Sequence, residues 1–381
     1  MRRSMILSIN FFTRLAVVLF TGLILLSSCT AKNEPLSPVN DDSPSGGSGF
    51  AVAVLPLANL SGMPAPVKEI RQSLIDSFKA RGLSLVGKED IEKVIVRHRM
   101  RYTGGVDEAT ARALRQEAGA EAVLITTLEL YSVRRPPKIA MTSRLVSTES
   151  PPQILWMSGA GMAGDDSPGL LELGLVTDSR ALLDNAVQQL ANSLAGFLSG
   201  QMEGAETLRA RKKFRPKALY LSPILGPGMK YKVVVVPLFN LSERKHGGDI
   251  LALHFVRLLF AIENFQVVEP GLVRQELLKM RIIMDDGLSL GNADLIFSKL
   301  NADLVLTGIT MDYQDYEGIS GKPKVDFSAQ LFERRSREVV WNVKSFNHGD
   351  DGVLLFDWGR VNTANAMAGQ MVQLAVEDLV E

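Results

Sequence analysis

The chain has 381 residues, 42 Lys+Arg against 42 Asp+Glu, 46% hydrophobic residues and one cysteine. Zero net charge excludes the basic excess of a dedicated nucleic-acid binder, and the apolar fraction excludes a disordered chain. A single cysteine, Cys29, excludes an intramolecular disulfide, a thiolate zinc cluster and an iron–sulfur site.

The N-terminus reads as an export signal over residues 1–28. Arg2, Arg3 and Arg14 form a basic start without acids. Leu15 to Leu26 is apolar apart from Thr21 and Gly22, too short a run for a comfortable membrane-spanning helix. Leu26-Ser27-Ser28-Cys29 then resembles the lipobox of bacterial lipoproteins. That resemblance implies that Cys29 is acylated after export and becomes the mature N-terminus, a membrane partner through lipid. A multiply acylated cysteine holds a membrane stably, where a single chain does not. Thr30 at the next position resembles the outer-membrane sorting pattern, which implies the periplasmic face of that membrane. Residues 29–49 are rich in Pro, Ser, Gly, Asn and Asp, the composition of a flexible tether. Within them, Gly46-Gly47-Ser48-Gly49 is not followed by the Gly-Lys-Ser/Thr of a phosphate loop.

Beyond the tether the chain is one unit written twice. Val52-Ala-Val-Leu-Pro-Leu-Ala-Asn-Leu-Ser61 matches Val233-Val-Val-Val-Pro-Leu-Phe-Asn-Leu-Ser242. Leu83–Val86 matches Phe265–Val268, and Ala120–Leu124 matches Ala302–Leu306. Tyr131, Trp156 and Gly164-Asp165-Asp166 fall opposite Tyr313, Trp341 and Gly349-Asp350-Asp351. Two homologous domains follow, 50–200 and 231–381, joined by a linker over 201–230.

In chain order, each unit opens with a strand, Val52–Leu57 or Val233–Leu238, ended by proline and an Asn-Leu-Ser turn. An amphipathic helix comes next; in the first unit Pro64 and Pro66 suit its first turn, Val67, Ile70, Leu74 and Phe78 share a face, and Gly82 stops it. A short strand (83–86; 265–268) and a helix (89–100; 271–280) follow. A second helix runs from Asp107 to Gly119, or from near Ser289 to Asn301. Three strands come next, at 121–131, 139–147 and 153–159, or 303–313, 323–332 and 337–346. A long helix, 179–198 or 361–379, closes each unit. The expected fold class is therefore α/β (α+β): in each unit a mixed sheet with a strand meander, flanked by helices. Residues 200–232 carry a net charge of +6 and residues 233–381 one of −7. The plain expectation is a linker held across the second unit by charge. The sharper one is contact with anionic lipid headgroups or an anionic envelope polymer.

The Val-x-Val-Leu-Pro-Leu-x-Asn-Leu-Ser strand and turn, with the Ala-(Glu/Asp)-x-Val-Leu strand that leads to Tyr, resembles a group of envelope proteins. These are the α/β domains of the curli-secretion lipoprotein CsgG, the LpoB activator of peptidoglycan synthases and the TolB N-terminal domain. The resemblance implies a non-enzymatic envelope component that binds protein partners, assembles into homo-oligomers or both. A curli-type secretion-channel subunit would need two long membrane-inserting hairpins, and the connections between meander strands are short and polar. An envelope hydrolase is the remaining alternative.

No catalytic, cofactor or metal site is expected. Gly159-Ala-Gly-Met-Ala-Gly164 has the Gly-x-Gly-x-x-Gly spacing but follows the last meander strand, and reads as a flexible loop. The repeated Gly-Asp-Asp offers too few oxygens for calcium and reads as a polar turn. His98, His246, His254 and His348 lack helical metal-ligand spacing, and His254 reads as a packed or surface histidine. Pro56, Asn59 and Ser61, with Pro237, Asn240 and Ser242, end a strand and close a turn. The same six residues are the candidate docking turn.

Overall fold

Strand β1 (Val52–Val54) pairs in parallel with β3 (Ala122–Ser132) in a computed structural model of the chain. The model describes residues 50–166, 174–201, 212–226, 228–282, 287–316, 321–353 and 359–379. Cys29, the export signal and the tether lie outside the described residues. The opening strand is shorter than expected: it stops at Val54 and resumes beyond Pro56 as β2 (Ala58–Asn59), on the same neighbour. Proline has no N–H to continue a ladder. Helix α1 (Val67–Lys79) buries Ile70, Leu74 and Phe78, starts after Pro66 and is closed by Gly82 at φ +80°.

Of the expected strand at 83–86, only Leu85 bridges to Val52. Leu-Ser-Leu favours extended structure less than Phe-Gln-Val does, and the counterpart forms β9, named below. Helix α2 spans Lys88–Arg97 and α3 spans Glu108–Ala118. Asp107 caps α3 by accepting from the Thr110 N–H at 2.8 Å, and Gly119 ends it in the left-handed region. The meander is β3, β4 (Lys138–Ser147) and β5 (Ile154–Ala163), followed by α4 (Ser179–Leu198). The first sheet is ordered β1-β3-β4-β5.

The residues between the repeats are more than a linker. A 3-10 turn, Lys212–Phe214, buries Phe214 completely, and β6 (Ala218–Leu221) pairs antiparallel with the last strand of the second sheet. A backbone ladder and one phenyl ring therefore fasten it. Among the described residues Arg215, Lys217 and Lys230 form no ion pair with an acid of the second repeat.

The second repeat runs β7 (Tyr231–Val235), β8 (Phe239–Asn240), α5 (Gly247–Phe260), β9 (Phe265–Val267), α6 (Pro270–Lys279), α7 (Leu290–Leu300), β10 (Leu304–Gln314), β11 (Lys324–Glu333), β12 (Val339–His348) and α8 (Ala364–Val376). Ser289 caps α7 through the Asn292 N–H, as Asp107 caps α3. Its sheet is ordered β6-β12-β11-β10-β7-β9. Both sheets are open, and the fold class is the expected one: mixed α/β, with strand meanders flanked by helices.

Layering decides what each residue meets. Helices α1 and α4 cover one face of the first sheet through Ile70, Leu74, Phe78, Leu190 and Leu194. The other face of that sheet shares a core with α5, α8 and the second sheet. Helices α6 and α7 cover part of the far face of the second sheet, around Val234, Val236 and Val305. Helices α5 and α8 are therefore pressed between two sheets, and α5 is buried nearly all round. Residues Gly49–Glu381 form one compact unit that holds all three cores.

Candidate functional site

The polar chemistry of the molecule is concentrated in the seam where α5, α6 and α8 meet the first repeat. Arg144 on β4 and Glu269, the residue that caps α6, form a two-armed ion pair at 2.9 Å with no exposed surface on either side chain. Nη2 of Arg144, one of the two arms, also donates to the Gly104 carbonyl at 2.6 Å, and Glu269 also accepts from the N–H groups of Val106 and Gly271. Burial alone would lower the pKa of Arg144, but the carboxylate of Glu269 raises it and holds it charged. The backbones close tightly here: a Cβ placed on Gly271 would lie 2.2 Å from the Val106 nitrogen.

Further along the seam, Glu129 of β3 bonds the side-chain amide of Asn365 on α8. The Arg257 guanidinium and the Asn365 carboxamide each stand 3.3 Å from one ring nitrogen of His254. Burial, then the positive charge of Arg257, pushes the His254 pKa well below its ordinary value, so the imidazole is neutral. Burial raises the pKa values of Glu129 and Asp315 and lowers that of Lys138. Arg244, in the turn after β8, donates to the Glu129 carbonyl at 2.5 Å and stands 3.7 Å from Asp315. These groups serve one another across the seam. The sequence analysis missed them because each looks ordinary on its own element. The usable signal was divergence between repeats: Arg144 falls opposite Gln330 and Glu129 opposite Met311, by sheet register.

The structure also relocates the glycine triplet. Gly159 and Gly161 lie in strand β5, not in a flexible loop. A Cβ at Gly159 would sit 2.1 Å from the Arg257 guanidinium, and one at Gly161 would sit 2.8 Å from Asn365. Their lack of side chains lets α5 and α8 approach the sheet, which is a packing requirement. Gly164 and Gly349 occupy matching turns where a Cβ would strike the carbonyls of Val176 and Val361. Asp166 and Asp351 accept from the N–H groups of Ala163 and His348, so the repeated Gly-Asp-Asp builds a self-capped turn. His254 is packed, and no described cluster of acids and histidines could hold a metal ion.

The candidate docking turns keep their side chains largely for themselves. Asn59 donates to the Met63 carbonyl and accepts from the Ser61 hydroxyl at 2.6 Å. Asn240 does the same with the Arg244 carbonyl and Ser242. Pro56 and Pro237 precede these turns. The structure brings the two turns together: a Cβ on Gly62 would be 3.7 Å from that of Lys245, and Met63 and Leu241 project from their tips. Elsewhere, a groove of about 820 Å³ is lined by Pro152, Gln153, β9 and α6, with charges of both signs. Among the described residues no helix is long and apolar enough to cross a membrane.

No protein-family model and no curated protein matches the chain. Solved structures resemble parts of it. The PelC dodecamer of Paraburkholderia phytofirmans is 18% identical over 42% of this chain and 94% of its own, with a TM-score of 0.30. Lipoprotein GNA1162 of Neisseria meningitidis is 20% identical over 38% and 99%, at 0.26. The C-terminal domain of LpoB from Salmonella enterica is 17% identical over 32% and 85%, at 0.22. All three likenesses are distant.

Proposed function

We propose that the protein is a lipid-anchored envelope lipoprotein that faces the periplasm and binds partners without catalysing a reaction. The observation that carries this reading is the use made of the titratable groups. Arg144, Glu269 and Glu129 are buried and spent on joining the repeats, and His254 and Arg257 are buried beside them. A catalytic group must reach its substrate within hydrogen-bond distance. The lipobox-like Leu26-Ser27-Ser28-Cys29 supports the anchor, and Thr30 supports the outer membrane. The paired turns carrying Pro56, Asn59, Ser61, Pro237, Asn240 and Ser242 form the docking rim, with Met63 and Leu241 as its exposed apolar tips. The partner is an envelope protein or a second copy of the chain.

Fractionation tests the anchor: Cys29→Ala should move the protein from membranes to the soluble periplasm, and unchanged membrane residence sinks it. Photo-crosslinkers at Met63 and Leu241 test the rim. A discrete adduct is expected; recovery of neither an envelope protein nor a self-oligomer removes the assembly reading.

A further inference from the structure

Residues 212–232 contain six basic residues and no acid. Inside this stretch β6 forms one edge of the second sheet, and its outer side pairs with no described strand. All four residues of β6 are exposed. Leu219, Tyr220, Leu221, Ile224 and Met229 are each between 38% and 53% exposed, Leu219 and Leu221 on one face of the edge strand and Tyr220 on the other. Arg215, Lys217 and Lys230 flank these residues in sequence, all exposed, and Lys344 stands opposite Ala218 on β12.

We propose that this edge is a peripheral membrane-contact surface. Its occupant is a phospholipid bilayer that contains anionic headgroups. Leu219, Leu221 and Ile224 would enter the interface, Tyr220 would sit at headgroup level, and the lysines would meet lipid phosphates. Charge chooses this occupant over the other that an apolar edge invites. An exposed edge strand can pair with a second copy, but flanking cations guard against it, and two such segments repel. An anionic bilayer attracts the same charges, most strongly at low salt. The contact also explains why the cations stay exposed beside an acidic repeat. It does not depend on acylation; in a lipid-anchored protein it would set which side of the folded unit faces the bilayer.

Vesicle flotation tests the proposal with residues 50–381, the compact unit described above. The acyl chain is absent, so failure here leaves the anchor reading standing, and failure of the Cys29 test leaves this one standing. The expected result is binding to phosphatidylcholine vesicles containing phosphatidylglycerol at least about tenfold tighter than to phosphatidylcholine alone, lost on raising salt. Leu219→Asp with Leu221→Asp, and separately Lys217→Glu with Lys230→Glu, should each weaken binding about tenfold while thermal unfolding stays cooperative. Four results would overturn it. They are equal binding to both vesicle types, no binding to either, binding to a soluble polyanion that ignores the leucine changes, and a dimer in sedimentation that Leu219→Asp dissolves.

Discussion

The two repeats share a fold and differ in what lies outside their sheets. All ten residues of β4 are buried, whereas the counterpart β11 alternates between buried and half-buried residues along its first half. The first sheet has helices on both faces; the meander half of the second has them on one. Counterpart positions carry the difference. By register, Gly159 falls opposite Lys344, Gly161 opposite Phe346 and Arg144 opposite Gln330. Where a helix must approach, side chains are removed or paired; where water is the neighbour, long polar ones return. Strands, caps and turns correspond between the two regions, and the outer faces differ.

That contrast can be broken most strongly at the ion pair. Glu269→Ala leaves Arg144 buried without its partner and should cost about 3–5 kcal/mol in denaturant unfolding. Gln330→Ala, at the counterpart of Arg144, should cost about 0.5 kcal/mol or less. A similar loss at both positions would erase the distinction between the two faces. Next in size, Gly159→Lys installs the residue of the other repeat beneath Arg257 and should cost about 1–3 kcal/mol, while Lys344→Gly costs far less. Shared features should behave alike. Asp107→Ala and Ser289→Ala each remove a helix N-cap, and each should cost about 1 kcal/mol.

The smallest effect is in pH. The ordinary histidine pKa is 6.5, and that of buried His254 lies well below it. As pH falls below about 6.5 the unfolded chain takes up a proton that the folded chain refuses, so stability is lost on the acid side. Glu129 has the opposite sign. Its folded pKa is raised, so its contribution is present below 4.5 and fades as pH rises through the raised value. Thermal unfolding measured from neutral pH to about pH 5 should lose less stability in His254→Gln than in the parent.

What could be read in advance follows from range. The helix caps at Asp107 and Ser289, the end of α4 and the three meander strands are local patterns, and all were legible. The seam was not. Arg144 lies on a strand whose alternation looks ordinary, and Glu269 is one acid before a proline; 125 residues separate partners that touch. The glycine triplet was misread for the same reason, since the helices that require it belong to the other repeat. The strand at 218–221 was hidden by its basic surroundings, which suggested a linker.

One consequence of the bare backbone at Gly159 and Gly161 concerns cutting the chain between its halves. A truncated form holding only residues 50–200 would present to water the apolar side chains that now face α5 and α8, and an arginine without its carboxylate. A form holding only 231–381 would expose the flank of α5 that now fits against them. Neither half is therefore expected to be stable in water without the other.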